Sequence, residues 1–230
     1  MSSYDLLLKY KSTYMQRIAE YAQRGYESYC SGISPDLPGY LRMVAKFIKL
    51  YDIDQTPMQR HRSKLRGKAG CILVAYCNTE KTKEIHWILL LTKGTHIAKQ
   101  LEKLNPIEQC KYSDFQLHCT KSKWTWKLQA SIYEGLRFQV VKSARIYNTD
   151  PMQLNQVVHL MYQQPKFSGI REQIKKLREL VKAEFKRRKI ATIYKFPRLY
   201  YLQKQPNEGY LVSAPKNLIG GKIAKTIVTI

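Results

Sequence analysis

Acidic residues are scarce in this 230-residue chain, with 17 Asp and Glu against 40 Lys and Arg. Among those few acids, no pair is followed by a strand-borne Glu-x-Lys, which excludes the metal-dependent restriction-type nuclease pattern. Long apolar runs are missing as well. Nothing approaches the roughly eighteen consecutive apolar residues of a transmembrane helix. Met1 to Tyr10 mixes polar and apolar residues and includes Asp5 and Lys9, which is not the pattern of a secretory signal. The five cysteines, Cys30, Cys71, Cys77, Cys110 and Cys119, are odd in number and contain no C-x-x-C pair. That argues against a disulfide framework and a zinc knuckle, and it fits a reducing cytoplasm. There is no G-x-x-x-x-G-K-[ST] loop, no G-x-G-x-x-G and no H-E-x-x-H; Gly220-Gly221-Lys222 is only a fragment of a phosphate loop. No cofactor and no metal is implied.

Cations and tyrosines are what the chain has in quantity. The formal net charge is +23, the sequence pI is about 9.8, and there are 17 Tyr and three Trp. Such an excess repels itself in a compact state, so an anionic partner is its simplest explanation. Nucleic acid is the first candidate, because aromatic faces also stack on exposed bases. A hydrophobic content of 44% leaves enough material for a core.

The most informative stretch is Ser168 to Lys189. Ile170, Ile174, Leu177, Val181 and Phe185 recur at helical steps and predict one buried face. Arg171, Lys175, Arg178, Lys182 and Lys186 form a second stripe about 100° away. Arg187, Arg188 and Lys189 extend it, and Ser168 is the expected N-cap. Such a stripe is either a solvated outer face or a ridge that lies on phosphates.

Two more basic clusters accompany it. Arg60, Arg62, Lys64, Arg66 and Lys68 alternate, so an extended backbone would point all five to one side; a flexible loop suits the same letters. Lys121, Lys123 and Lys127 surround Trp124 and Trp126, which are read either as core anchors or as a stacking platform.

Around these clusters, one or two helices are expected within 4–30 and another near 38–52, with a loop at 31–39. The apolar runs at 69–77 and 85–91 read as strands buried on both faces and joined by the turn at 78–83. A short helix from Thr95 to Leu104 should turn Ile97, Leu101 and Leu104 inward. A second hairpin spans about 112–129. Helices follow at 130–147, with Ile132, Leu136, Val140 and Ala144 on one face, and after Asp150-Pro151, with Leu154, Val157, Val158 and Met161 inward. Extended segments around turns such as 205–209 follow the basic helix, and the residues from Lys216 form an edge strand or a tail. The expectation is an α+β fold: one antiparallel sheet from hairpins at about 69–92 and 112–129, covered by helices. Residues 1–58 would form an N-terminal helical segment and residues 59–230 the binding core.

One constellation points to catalysis instead. His86 and His118 lie in the two hairpins, and Tyr133 follows on a helix. In outline this resembles replication-initiator and relaxase nickases, in which a His pair holds a metal and a Tyr attacks DNA. Those enzymes carry H-x-H on one strand, and no H-x-H occurs here. Finally, the block from Lys123–Lys127 through Phe167–Arg188 resembles uncharacterised proteins carried by plasmids and integrative elements. The resemblance covers about a third of the chain and implies a mobile-element setting without supplying a catalytic residue. The expected function is nucleic-acid binding, DNA or RNA, by backbone contacts with aromatic stacking. Subunits of a nucleoprotein complex are further expected partners, and no membrane insertion is expected.

Overall fold

The computed structural model describes residues 6–77, 84–204, 209–212 and 227–228. In chain order, β1 (Leu6–Leu8) precedes α1 (Lys11–Gln23), β2 (Tyr26–Ser34), α2 (Leu37–Tyr51) and α3 (Pro57–Leu65). Then come β3 (Cys71–Cys77), β4 (Ile85–Thr92), α4 (Ala98–Leu101) and β5 (Asn105–Pro106). The strands β6 (Lys111–Tyr112), β7 (Phe115–Thr120) and β8 (Lys123–Leu128) follow. Helices α5 (Ala130–Arg145), α6 (Pro151–Gln163) and α7 (Ser168–Arg187) lead to β9 (Gly209–Val212) and β10 (Ile227–Val228). The chain is α+β, with antiparallel-rich sheets covered by helices.

The chain divides into two compact units: residues 1–110 with 204–230, and residues 111–203. The division falls after Cys110, and the boundary expected near residue 58 lies inside the first unit. Its sheet has the order β10-β9-β1-β3-β4-β2-β5, with β1 parallel to β3 and the other pairs antiparallel. The continuous apolar runs of β3 and β4 form the hairpin that they predict; its turn at 78–83 lies outside the described residues. Both faces of β3 are covered. Leu73 and Ala75 belong to the cluster that α2 supplies with Tyr40, Leu41, Val44 and Phe47. On the alternate positions, Tyr76 lies against Tyr14 of α1, with ring centroids 6.0 Å apart.

Several expectations need correction here. Residues 26–34 are a strand, not helix or loop; β2 pairs with β4 over its whole length. Gly32 is required there, because a β-carbon would sit 2.6 Å from the ring of Trp87 across the pair. Residues 57–65 are helical, not extended. Thr56 and Gln59 form a reciprocal capping box, and Pro57 fills the first turn. Helix α4 is a single turn, and Ile97 and Leu101 are exposed. The two hairpins do not share a sheet: β6-β7-β8 is a separate three-stranded sheet in the second unit.

In the second unit, α5 packs against both α6 and α7, and α7 packs on β8. The stripe Ile170, Ile174, Leu177, Val181 and Phe185 is buried throughout, as is Leu154, Val157, Val158 and Met161 of α6. On α5, Val140 and Ala144 are buried while Ile132 is partly exposed. Asp150 caps α6 by accepting from the amides of Met152 and Gln153, at 3.1 and 3.4 Å. Ser168 is the first helical residue of α7 and not its cap; its hydroxyl donates to Thr125 Oγ1 at 2.8 Å. The side-chain amide of Gln173 holds both backbone groups of Leu128, so the start of α7 is locked to β8.

Candidate nucleic-acid interface

The stripe expected on α7 divides into residues that face solvent and residues that are engaged. Lys175, Lys182 and Lys186 are exposed on one outer row, and Arg187, Arg188 and Lys189 are exposed around the helix end. Cations at a helix C-terminus also meet the negative end of the macrodipole, so part of this cluster serves the helix itself. Lys182 pairs with Glu179 at 2.8 Å, and Arg187 pairs with Glu184. Glu184 is buried and also accepts from Arg145 Nε of α5 at 3.2 Å.

Arg171 and Arg178 are a different matter. Arg171 is only 9% exposed, and Arg178 is half-buried. Both lie under aromatic rings of the extended segment after α7. The guanidinium of Arg178 is 4.9 Å from the ring centre of Phe196, and that of Arg171 is 3.5 Å from the ring centre of Tyr201. Further along, Tyr194 packs edge-on against Phe185, and its hydroxyl donates to Asn155 Oδ1 at 2.7 Å. Phe185, Arg178 and Arg171 are seven residues apart, two helical turns each. The segment therefore runs back along α7 toward its N-terminus. Composition did not reveal this cover. The usable signal was the alternation of rings and cations in Tyr194, Lys195, Phe196, Arg198, Tyr200 and Tyr201.

The hairpin cluster is also split. Trp126 is completely buried and is a core anchor, so it offers no face to a base. Trp124 and Lys127 are half-buried, while Lys121 and Lys123 are exposed. Lys121 and Ser122 close a two-residue turn with φ of 49° and 62°. That is the left-handed pair a tight hairpin demands, filled here by residues that do not favour it.

In the first unit, helical α3 spreads its cations around the axis. Arg60 is half-buried and donates to the carbonyl of Gln55, while Arg62, Lys64, Arg66 and Lys68 are exposed. The five do not form one row.

The catalytic constellation is not assembled by the strand pairing it requires. His86 pairs with Ile33 and Tyr76 in the first sheet, and His118 pairs with Thr125 in the second. Burial lowers the basicity of His86 and raises the phenol of Tyr133, the wrong direction for a nucleophile. Among the described residues, no cluster of three or more His, Cys, Asp or Glu could hold a metal ion. Nor is any helix among them long and apolar enough to cross a membrane.

Charge decides how much of the basic surface can be neutralised internally. Residues 111–203 hold 19 Lys and Arg against six Asp and Glu, a net +13. Even if every carboxylate paired once, most of these cations would keep their charge toward solvent. No protein-family model matches the chain, and searches of curated proteins and of solved structures find no match either.

Proposed function

We propose that the protein binds nucleic acid without catalysis, chiefly through phosphate contacts made by the second unit. The observation that carries this reading is the charge balance of residues 111–203, whose exposed cations far outnumber the acids beside them. Lys175, Lys182 and Lys186 on α7, the run Arg187 to Lys189, and Lys121 and Lys123 at the hairpin tip are among the exposed groups that a polyanion can reach. Contacts of this kind hold the backbone and confer little sequence choice. In the first unit, Arg62, Lys64, Arg66 and Lys68 extend the same chemistry on α3 and just after it. The resemblance of the block around α7 to plasmid and integrative-element proteins suggests a cytoplasmic role in a mobile genetic element, alone or within a nucleoprotein complex.

The test is direct binding at low salt. Fluorescence anisotropy with labelled duplex DNA, single-stranded DNA and RNA should give saturable binding to at least one of them. Nucleic acid that stays with the protein through a high-salt wash would identify the natural class. An absence of binding to all three probes at low salt would remove this function.

A further inference from the structure

The structure carries an aromatic–cationic site that the basic clusters did not announce, and it lies at the end of the segment that runs back along α7. Tyr200 and Tyr201 are 63% and 77% exposed, large values for adjacent aromatic residues. Their rings are not adrift. Tyr201 is seated on Arg171, and the Arg198 guanidinium lies 5.6 Å from the ring centre of Tyr200. The Arg171 guanidinium, through a hydrogen bond and its charge, lowers the Tyr201 phenol from its ordinary value, and the charge of Lys175, one turn beyond Arg171, adds to this.

Arg171 is the second, independent observation. Its side chain is buried, yet none of the described ion pairs includes it. Its Nε is buried without a hydrogen-bond partner among the described residues. It also stands in the first turn of α7, where the macrodipole disfavours a cation. A buried guanidinium in that position is stabilised in part by the ring above it, but a ring brings no negative charge. A phosphate held at the exposed Lys175 or Arg198 would bring negative charge near the guanidinium without uncovering it. One face of the Tyr201 ring is held by the cation, and so high an exposure leaves the other to solvent.

We infer that Tyr200 and Tyr201, backed by Arg171 and flanked by Lys175 and Arg198, form a stacking site for the unpaired bases of a single-stranded nucleic acid. This rests on the nucleic-acid reading above and sharpens it to a substrate class. An unpaired base can lie on the open ring face while its phosphate meets the neighbouring cations, an arrangement known to tolerate any base. A base inside a duplex cannot reach the rings without leaving its stack. The phosphate surface of α7 accepts either form of the polymer, whereas this site accepts only an unpaired strand.

The test compares wild type with the Tyr200→Ala/Tyr201→Ala and Tyr200→Phe/Tyr201→Phe double variants. The probes are labelled oligothymidylate, oligouridylate and a mixed-sequence blunt duplex. Thermal melting should first show that both variants fold, as expected for rings this exposed. The Ala pair should lose roughly 10- to 100-fold in single-strand affinity. Its duplex affinity should stay at the wild-type value, and the Phe pair should keep most of its single-strand affinity. Loss on either single strand supports the site, and the strand that shows it identifies the sugar. If the Ala pair binds single strands as wild type does, or loses single strand and duplex alike, the stacking site is wrong while nucleic-acid binding stands. If wild type binds none of the probes, the parent reading fails and this one falls with it.

Discussion

The backbone amide of Gly169 donates to the hydroxyl oxygen of Thr125 at 3.1 Å, which brings the first turn of α7 directly onto strand β8. A β-carbon at residue 169 would lie 2.7 Å from the carbonyl oxygen of Trp126 and 2.7 Å from Lys127 Cγ. Gly to Ala inside a helix ordinarily stabilises by about 1 kcal/mol. Here the clash is with backbone and reverses the sign. Gly169→Ala should lower stability by about 1–3 kcal/mol in urea denaturation. An unchanged or higher midpoint would show that α7 does not seat on β8 as described.

Glu184 ties α5 to α7 through Arg145 and also pairs with Arg187 of its own helix, and it is buried while both arginines are partly exposed. Glu184→Gln keeps the shape and removes the charge. The cost should be about 1–3 kcal/mol, less than for a fully buried pair because water can take up the two arginines. Glu179→Gln, which breaks the exposed pair with Lys182, should cost under about 1 kcal/mol. Equal effects of the two substitutions would contradict the difference in burial.

The turn at Lys121 and Ser122 offers a substitution in the stabilising direction. Both residues adopt positive φ, which Asn and Gly tolerate at lower cost. Lys121→Asn with Ser122→Gly should raise stability by about 1 kcal/mol and raise the melting temperature. A fall in melting temperature would mean that the lysine or the serine makes interactions worth more than the strain.

The first unit should be sensitive to alkali. Burial raises the phenol of Tyr26 from 10.0 to about 12 and raises that of Tyr51 as well, where Glu102 adds to the effect. The folded state therefore holds these protons after the unfolded chain has released them. That contribution is complete below pH 10 and is lost as pH rises from 10 toward about 12. Denaturant midpoints should fall across that window, and Tyr26→Phe should flatten the fall.

Much of this architecture was legible from local pattern, and the exceptions share a cause. The buried stripe of α7 and the hairpin of β3 and β4 were readable because each residue's environment repeats with the period of its own element. Strand β2 was not, because Tyr26, Tyr29 and Cys30 are its buried apolar residues and polar neighbours interrupt the alternation. Helix α3 buries nothing and so has no apolar period; its signal was the capping box at Thr56 and Gln59, masked by the alternating cations. The separation of the hairpins into two sheets is a matter of long-range pairing, which no window of sequence contains. The same holds for the site. The exposed lysines of α7 follow from the helical period, but the cover over Arg171 and Arg178 comes from rings more than fifteen residues further along the chain.

That cover also determines which side chains test the charge of α7. Replacing Arg171 or Arg178 would disturb packing against Tyr201 and Phe196, and so confound binding with folding. Lys175, Lys182 and Lys186 are exposed and lie on one row, so their loss changes charge with little change in packing.

The most direct measurement is the dissociation constant for nucleic acid as a function of salt, for wild type and for the Lys175→Ala/Lys182→Ala/Lys186→Ala variant. For wild type, log affinity should fall linearly with log salt, with a slope of roughly −0.9 per phosphate neutralised on duplex DNA, or −0.7 on a single strand. The variant should melt within a few degrees of wild type, bind more weakly and show a shallower slope, by about one such increment for each lysine engaged. A slope near zero for wild type, or a variant slope and affinity identical to wild type, would contradict a phosphate-binding surface on α7.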